Sequence, residues 1–124
     1  MAEHNQLGEW GEQLAREYLI SQGYSIRHTN LHQGHKEIDI VAQKGTRLIF
    51  VEVKTRSTDF VDPLDAVDSK KMRRMVRVAD RMLRQLDRPF EPQFDIITIV
   101  GTPQTSYRLT HYPDAFMPPL SGAR

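Results

Sequence analysis

The sequence predicts a single α/β domain over residues 1–124, in which a central mixed sheet is flanked by helices. Three observations lead to this prediction. The chain has 124 residues, 39% of them hydrophobic and 27% charged, which is the size and composition of one globular domain. Apolar residues recur at helical spacing in two separate segments. Short runs rich in β-branched and aromatic residues lie between and after those segments, as the strands of a sheet do.

The first predicted element is an amphipathic helix over residues 6–22, which Gly23 ends. At ~100° per residue, Glu12 lies beside Ala15 and Leu19 at the edge of the apolar stripe, where its carboxylate can lean toward whatever the helix packs on. The only tryptophan belongs to this stripe and is expected in the core. The stripe consists of Leu7, Trp10, Leu14, Ala15, Tyr18 and Leu19.

A β-hairpin is predicted next. Residues 37–42 alternate acidic and aliphatic side chains at their start, residues 44–46 contain a turn glycine, and residues 48–54 are β-branched and aromatic. If the turn centres on Gly45 and Thr46, Asp39 falls opposite or close to Glu52. The hairpin therefore predicts that these two carboxylates are neighbours.

The remaining elements follow from turn and capping signals. Ser69 is a helix cap, and Asp87-Arg88-Pro89 ends the helix that it begins. The other predictions are a short strand at 24–27, an exposed loop at 30–36, a loop at 55–68, a helix from Ser69 to about Leu86, a strand at 94–100, a weaker strand at 107–111 and a frayed tail at 118–124.

Composition sets limits on localisation. The chain has no cysteine, and no apolar run approaches the roughly 20 residues that span a bilayer. Its first residues lack the basic and apolar regions of a secretory signal. We therefore expect a soluble cytoplasmic protein that has no disulfides and makes no contact with a membrane.

The formal net charge of +1 hides a basic helix. Arginine suits phosphate by its forked geometry, and acids are nearly absent from this helix, so it is a candidate DNA-binding surface to which Arg56 would add a contact. A solvated helix face remains the alternative. The basic stripe consists of Lys70, Arg74, Arg77, Arg81 and Arg84, and the predicted core face of Met72, Met75, Val76, Ala79, Leu83 and Leu86.

The candidate chemistry lies on the hairpin. Glu52 and Lys54 project to one side of their strand, and Asp39 on the neighbouring strand can join them. Mg²⁺ and Mn²⁺ prefer such oxygen sites, and an ammonium nearby can orient water and offset charge on a phosphate. A solvated surface pair of Glu52 and Lys54 is the competing interpretation.

The order of these residues resembles a known superfamily. Asp39, followed across the turn by Glu52-Val53-Lys54, is similar to the PD-(D/E)xK nucleases, whose restriction-endonuclease-like core is a mixed sheet flanked by helices. Over residues 8–116 the chain resembles more closely the YraN family, bacterial proteins predicted to be endonucleases and similar to archaeal Holliday junction resolvases. The segments that carry this resemblance are Gly8-Glu9-Trp10-Gly11-Glu12 with Ala15, residues 37–42, residues 50–56, residues 94–97 and Asp114-Ala115-Phe116.

The resemblance implies roles for individual residues. Asp39 and Glu52 would be metal ligands, Lys54 would be the catalytic lysine, and the carbonyl of Val53 would be a further ligand. Glu12 would be the first-helix acid that contacts the metal directly or through water. The implied activity is Mg²⁺- or Mn²⁺-dependent hydrolysis of DNA, with branched or nicked DNA as the expected substrate and a homodimer as the expected assembly. A non-catalytic nucleic-acid-binding module on the same fold is the alternative.

Three histidines raise the question of zinc. His28, His32 and His35 are close in sequence, but no fourth ligand is nearby and no cysteine is available. The sequence therefore favours the carboxylate site over a zinc site and leaves the role of the histidines open.

Overall fold

The computed structural model describes residues 2–33, 36–58 and 69–115, and within these ranges it contains two helices and five strands. The predicted loop residues 59–68, His35 and the predicted tail lie outside the described residues. The elements are α1 (Ala2–Ser21), β1 (Ser25–Gln33), β2 (Lys36–Lys44), β3 (Arg47–Arg56), α2 (Ser69–Arg84), β4 (Glu91–Gly101) and β5 (Tyr107–Tyr112).

The strands form one mixed sheet in the order β1-β2-β3-β4-β5. β3 and β4 are parallel, whereas the other neighbouring strands are antiparallel. A parallel pair needs a crossover connection, and α2 lies in it. This arrangement confirms the predicted α/β class and is compatible with a restriction-endonuclease-like fold.

The hairpin has the predicted register. Lys44 pairs with Arg47 across Gly45 and Thr46, and Gly45 has the positive φ of 63° that a tight turn requires. Pairing continues to Ile40 and Val51, so Asp39 and Glu52 follow directly beyond the last paired residues. The turn therefore fixes which side chains of the two strands become neighbours.

Both faces of the sheet are covered, because alternate side chains of the strands enter two separate hydrophobic clusters. Burial of each large aliphatic side chain contributes roughly 1.5–3 kcal/mol. The cluster beneath α1 contains Ala15, Leu19, Ile40, Ala42, Ile49, Val51, Val53, Ile97 and Ile99. The cluster beneath α2 contains Ile38, Val41, Leu48, Phe50, Met75, Val78, Ala79, Met82 and Phe94.

Helix α1 ends as predicted at Gly23, which has a φ of 95°. The N–H of Gly23 donates to the carbonyl of Ile20 at 3.0 Å, and the N–H of Tyr24 donates to that of Leu19 at 3.0 Å. This pair of bonds is the Schellman motif, in which a left-handed residue satisfies the last helical carbonyls. Trp10 is half-buried and packs against the α1 cluster, so its expected place in the core is only partly confirmed.

Two structural predictions were wrong in detail. The exposed loop expected at 30–36 is largely strand, because β1 continues to Gln33 in antiparallel pairing with β2. The core face of α2 is rotated: Val78 and Met82, absent from the prediction, are buried together with Met75 and Ala79. Of the other predicted core positions, Met72 is half-buried, and Val76, Leu83 and Leu86 are half-buried against the α2 cluster. Apolar residues cover a wide arc of α2, but the sheet buries only the central part of that arc, and the residues at its edges remain half-buried.

Neither helix within the described ranges is long and apolar enough to cross a membrane.

Candidate active site

Glu52 is a charged residue in the hydrophobic layer beneath α2. It follows Leu48 and Phe50 along the same face of β3, and only 1% of its surface is exposed. Burial of an ionised carboxylate costs several kcal/mol unless opposite charges compensate it. The position of Glu52 therefore calls for positive partners.

Two lysines supply that charge at the same carboxylate oxygen. The Nζ of Lys71, on α2, lies 2.9 Å from Oε2 of Glu52, and the Nζ of Lys54 lies 3.4 Å from it. Neither carboxylate oxygen receives a well-directed hydrogen bond in the part of the chain that the structure describes. Glu52 is thus compensated in charge by two ammonium groups, and it also interacts with the side chain of Asp39.

Asp39 lies beside Glu52 at the end of the β2–β3 ladder, and only 7% of its surface is exposed. Its Oδ2 accepts a hydrogen bond of 2.8 Å from the backbone N–H of Val53. Burial, followed by the negative charge of Glu52, raises the pKa of Asp39 from 3.8 to about 8, against the opposing effects of the Val53 N–H and the Lys71 ammonium. The two acids are therefore electrostatically linked.

The backbone of Val53 is directed toward the two acids. Its N–H points from β3 toward Asp39 on β2. The N–H and C=O of one residue in an extended strand point to the same edge, so the carbonyl of Val53 is also directed toward β2. The neighbourhood of Asp39 and Glu52 therefore contains carboxylate and carbonyl oxygens, the donors that hard divalent cations prefer.

Glu12 belongs to α1, on the other face of the sheet. Gly11 packs against Thr55 so closely that an added Cβ would overlap the threonine side chain, which places this turn of α1 at the end of β3. Trp10 faces Tyr107 of β5, and Glu12 lies about 200° further round the helix, away from β5. Among residues 2–33, 36–58 and 69–115, no three acidic or histidine side chains are grouped closely enough to hold a metal ion.

Lys71 is the functional candidate that the sequence analysis did not single out. It precedes the buried Met75, Val78 and Met82 by four, seven and eleven residues, which places it on the core-facing stripe of α2. A lysine on the core-facing side of a helix indicates that a buried acid lies nearby, because an unpaired ammonium is unfavourable in the core. The prediction concentrated on the exposed stripe and overlooked this signal.

The predicted basic stripe lies on the outer side of α2. Arg74 is half-buried, whereas Lys70, Arg77, Arg81 and Arg84 are exposed. Arg84 forms an exposed ion pair of 3.0 Å with Asp80. A depression of about 320 Å³ is lined by Arg77, Asp80, Arg81, Arg84 and Gln85.

Arg56 ends β3 two residues beyond Lys54, and its Nη1 donates to the carbonyl of Thr55 at 2.9 Å. It is half-buried, and by strand alternation it lies on the same face as Glu52 and Lys54. The structure therefore places this predicted phosphate contact on the α2 side of the sheet.

A second polar network lies on the α1 side of the sheet and was not predicted. His111 Nε2 is 2.7 Å from Oδ2 of the fully buried Asp95, and His111 Nδ1 is 2.9 Å from the hydroxyl of Tyr18. Oδ1 of Asp95 accepts bonds from Gln93 Nε2 at 3.0 Å and from the Asp114 N–H at 2.9 Å. Burial, and then the charge of Asp95, raises the pKa of the nearby Tyr24. This network joins β4, β5 and α1 and is separate from the Asp39–Glu52 pair.

The fold and the site define a class of protein. A five-stranded mixed sheet with one helix on each face carries a buried pair of carboxylates and Lys54 on its β2–β3 hairpin, and Lys71 reaches the pair from α2. The chain belongs to the uncharacterised protein family UPF0102, whose model matches residues 11–99. This is the family to which the YraN resemblance pointed.

Bacterial relatives match nearly the whole chain. A UPF0102 protein of Phocaeicola vulgatus is 50% identical over 121 residues, covering 97% of this chain and 99% of the relative. One of Bacteroides thetaiotaomicron is 50% identical over 123 residues, with the same shares of the two chains. One of Flavobacterium psychrophilum is 43% identical over 117 residues, covering 94% of this chain and 98% of the relative. Their names state the family and no activity.

Proposed function

We propose that this protein is a Mg²⁺- or Mn²⁺-dependent endonuclease that hydrolyses phosphodiester bonds in DNA, with branched or nicked DNA as its expected substrate. The observation that carries the proposal is the buried pair of Asp39 and Glu52, which lies beside the Lys54 ammonium. Two adjacent buried acids destabilise a fold, and such groups are concentrated at functional sites.

The donor set fits a hard divalent cation. Both oxygens of Glu52 lack a directed hydrogen bond within the described ranges, and the Val53 carbonyl faces the same gap. Asp39, Glu52 and the Val53 carbonyl would hold the cation, and Glu12, which is not grouped with these two acids among the described residues, would contact it through water. A divalent cation bound there would polarise a phosphodiester oxygen and lower the pKa of water.

The other residues position the substrate and offset its charge. The Lys54 ammonium, fixed at the site by its strand, orients the attacking water and stabilises negative charge as it develops on the phosphate. Arg56 and the basic stripe of α2 hold the DNA backbone on either side of the bond that is cut. Because Lys54 acts mainly in the transition state, it contributes more to the rate than to affinity.

The rival is a nucleic-acid-binding module on the same fold. It is favoured by one observation, the compensation of Glu52 by two ammonium groups, which stabilises the buried acid without any metal. The two functions differ in whether phosphodiester bonds are cut, so a cleavage experiment separates them.

The test is a cleavage survey on single-stranded, nicked, flap and four-way DNA with Mg²⁺ or Mn²⁺. We expect cutting of at least one branched or nicked substrate, its loss in EDTA, and its loss in Glu52→Gln. Arg47→Gln is the matched control, because Arg47 is an exposed residue at the opposite end of the same strand. If the wild type cuts none of these substrates with either metal, or if Glu52→Gln cuts as well as the wild type, the endonuclease proposal is wrong.

A further inference from the structure

We propose that the ammonium of Lys71 and a divalent cation compete for the same buried carboxylates, so that Lys71 lowers the affinity of the site for metal. This inference rests on the proposed function, because it places the divalent cation at Asp39 and Glu52. It goes further by assigning a regulating role to a residue of α2 that lies outside the hairpin motif.

The first argument is position. The Nζ of Lys71 lies 2.9 Å from Glu52 Oε2, closer than the 3.4 Å of Lys54. Its charge also acts on Asp39, whose pKa it lowers in opposition to burial and to Glu52. A single ammonium therefore interacts with both acids that are expected to bind the cation.

The second argument is that Lys71 belongs to a different element from Glu52 and Lys54. Lys71 reaches the site from the first turns of α2, and the burial of Met75 and Val78 fixes that helix on the sheet. The ammonium is therefore aimed at Glu52 by helix packing. Because 22% of the Lys71 side chain is exposed, its long flexible stem has a path to solvent when another cation takes its place.

The third argument is charge. Asp39 and Glu52 carry at most two negative charges, and Lys54 and Lys71 already carry two positive charges. A divalent cation added beside both ammonium groups would leave the buried site with a net positive charge, which low local polarity makes unfavourable. With both carboxylates ionised, displacement of Lys71 lowers this net charge from +2 to +1, whereas Lys54 stays on the strand that holds Glu52.

Metal titration tests this inference without any cleavage assay. Mn²⁺ binding is measured by calorimetry for the wild type, for Lys71→Met and for Arg73→Met. Lys71→Met keeps an unbranched side chain but removes the charge, and we expect it to bind Mn²⁺ about tenfold more tightly. Arg73→Met removes a positive charge from an exposed position on the same helix, outside the basic stripe, and should stay within twofold of the wild type.

Loss of the Lys71 counter-ion also predicts a change in the metal-free protein. In EDTA, Lys71→Met should melt at a lower temperature than the wild type, and Mn²⁺ should raise its melting temperature by more. If Lys71→Met does not fold, Lys71→Gln retains a hydrogen-bond donor for Glu52, and the same tightening is expected for it.

The outcomes separate this inference from the proposed function. If the wild type binds Mn²⁺, Asp39→Asn abolishes that binding, and both Lys71 variants bind no more tightly than the wild type, the competition inference alone is overturned. If neither the wild type nor the Lys71 variants bind Mn²⁺, the metal site itself is misassigned and both proposals are overturned. Tightening in both Lys71 variants that is lost on adding Asp39→Asn supports the inference.

Discussion

Asp39 is a buried acid with two charged neighbours: Glu52 raises the pKa of its carboxyl, and Lys71 lowers it. Its pKa of about 8 in the folded protein, against an ordinary value of 3.8, means that the folded chain keeps a proton that the unfolded chain has already released. This difference stabilises the fold below pH 4, and the stabilisation is lost as the pH rises through 8. The protonation of one residue is thus coupled to the stability of the whole domain.

The first prediction follows from this coupling. In EDTA, the free energy of unfolding of the wild type should fall as the pH rises from 5 to 9. Asp39→Asn, which carries no titratable group, should show a flatter dependence over that range. Urea denaturation at several pH values measures both slopes. Equal slopes in the two proteins would mean that Asp39 is not the group responsible.

At the scale of residues, the sequence predicted which hairpin side chains meet. The turn at Gly45 determines the register, and the register brings Asp39 and Glu52 together. Lys71 could not be placed in the same way, because its contact with Glu52 depends on how α2 lies across the sheet. Local patterns determine neighbours within one element or one hairpin, whereas packing between distant elements depends on the whole fold.

Helix α1 contacts β5 at two positions, Trp10 and Tyr18. Trp10 and Tyr107 form an edge-to-face pair with a centroid distance of 5.6 Å, and Tyr18 bonds to His111. The eight residue steps from Trp10 to Tyr18 span about 12 Å of helix, which matches the roughly 13 Å of strand from Tyr107 to His111. The network around His111 is therefore an attachment of the helix to the sheet.

The second prediction concerns this attachment. His111→Ala removes the partner of the Tyr18 hydroxyl and of Oδ2 of the buried Asp95, and it should lower the free energy of unfolding by roughly 2–4 kcal/mol. Tyr18→Phe loses one hydroxyl and should cost about 1 kcal/mol. Urea denaturation measures both values. A His111→Ala protein as stable as the wild type would show that the network does not fasten the helix.

The third prediction compares two glycines of α1. An added Cβ meets nothing within 4 Å at Gly8, whereas at Gly11 it overlaps the side chain of Thr55. Gly8→Ala should therefore stabilise the protein by about 0.5–1 kcal/mol, the usual gain in an exposed helix. Gly11→Ala should destabilise it by about 1–3 kcal/mol, because a crowded contact forces α1 away from β3.

A double variant checks the cause of the Gly11 effect. Thr55→Ala removes the atoms that an alanine at position 11 would meet, so combining it with Gly11→Ala should recover part of the lost stability. Thermal melting of the two single variants and the double variant gives the comparison. If Gly11→Ala proves as stabilising as Gly8→Ala, the close packing of α1 on β3 is incorrect.

At the scale of elements, strong local signals were the most reliable. The C-terminal end of α1 was located by Gly23, and the hairpin turn by Gly45. The length of β1 was not predictable, because residues 30–33 contain a single apolar residue, Leu31, and become strand only through pairing with β2. The core face of α2 was misplaced for a related reason, since both its faces contain apolar residues and the sheet selects among them.

In the whole molecule, the Asp39–Glu52 pair and the basic stripe of α2 lie on the same side of the sheet. Because α2 lies in the crossover between β3 and β4, it covers the face from which Glu52 and Lys54 project. Its inner stripe supplies Lys71 to the site, and its outer stripe presents arginines to solvent. We expect this helix to link DNA binding to the metal site.

The fourth prediction tests the outer stripe. Replacement of Arg77 and Arg81 by Gln removes two positive charges while retaining helix propensity. The slope of log K against log salt for duplex DNA should shrink by about 2, with similar losses for all sequences. Arg27→Gln combined with Arg47→Gln removes the same charge from β1 and from the start of β3, and should leave the slope unchanged. An unchanged slope in the Arg77 and Arg81 variant would identify the stripe as a solvated surface.

The central claim is that Lys54 and the two acids form a catalytic centre, and one measurement tests it most directly. The single-turnover rate of cleavage of a four-way or nicked DNA with Mn²⁺ is compared between the wild type and Lys54→Ala, with DNA affinity measured for both. We predict that the rate falls by about 100-fold or more while the affinity stays within a few-fold, because the proposed role of Lys54 lies in the transition state. A Lys54→Ala protein that cuts at the wild-type rate, or a wild type that binds these substrates but never cuts them, would contradict the claim.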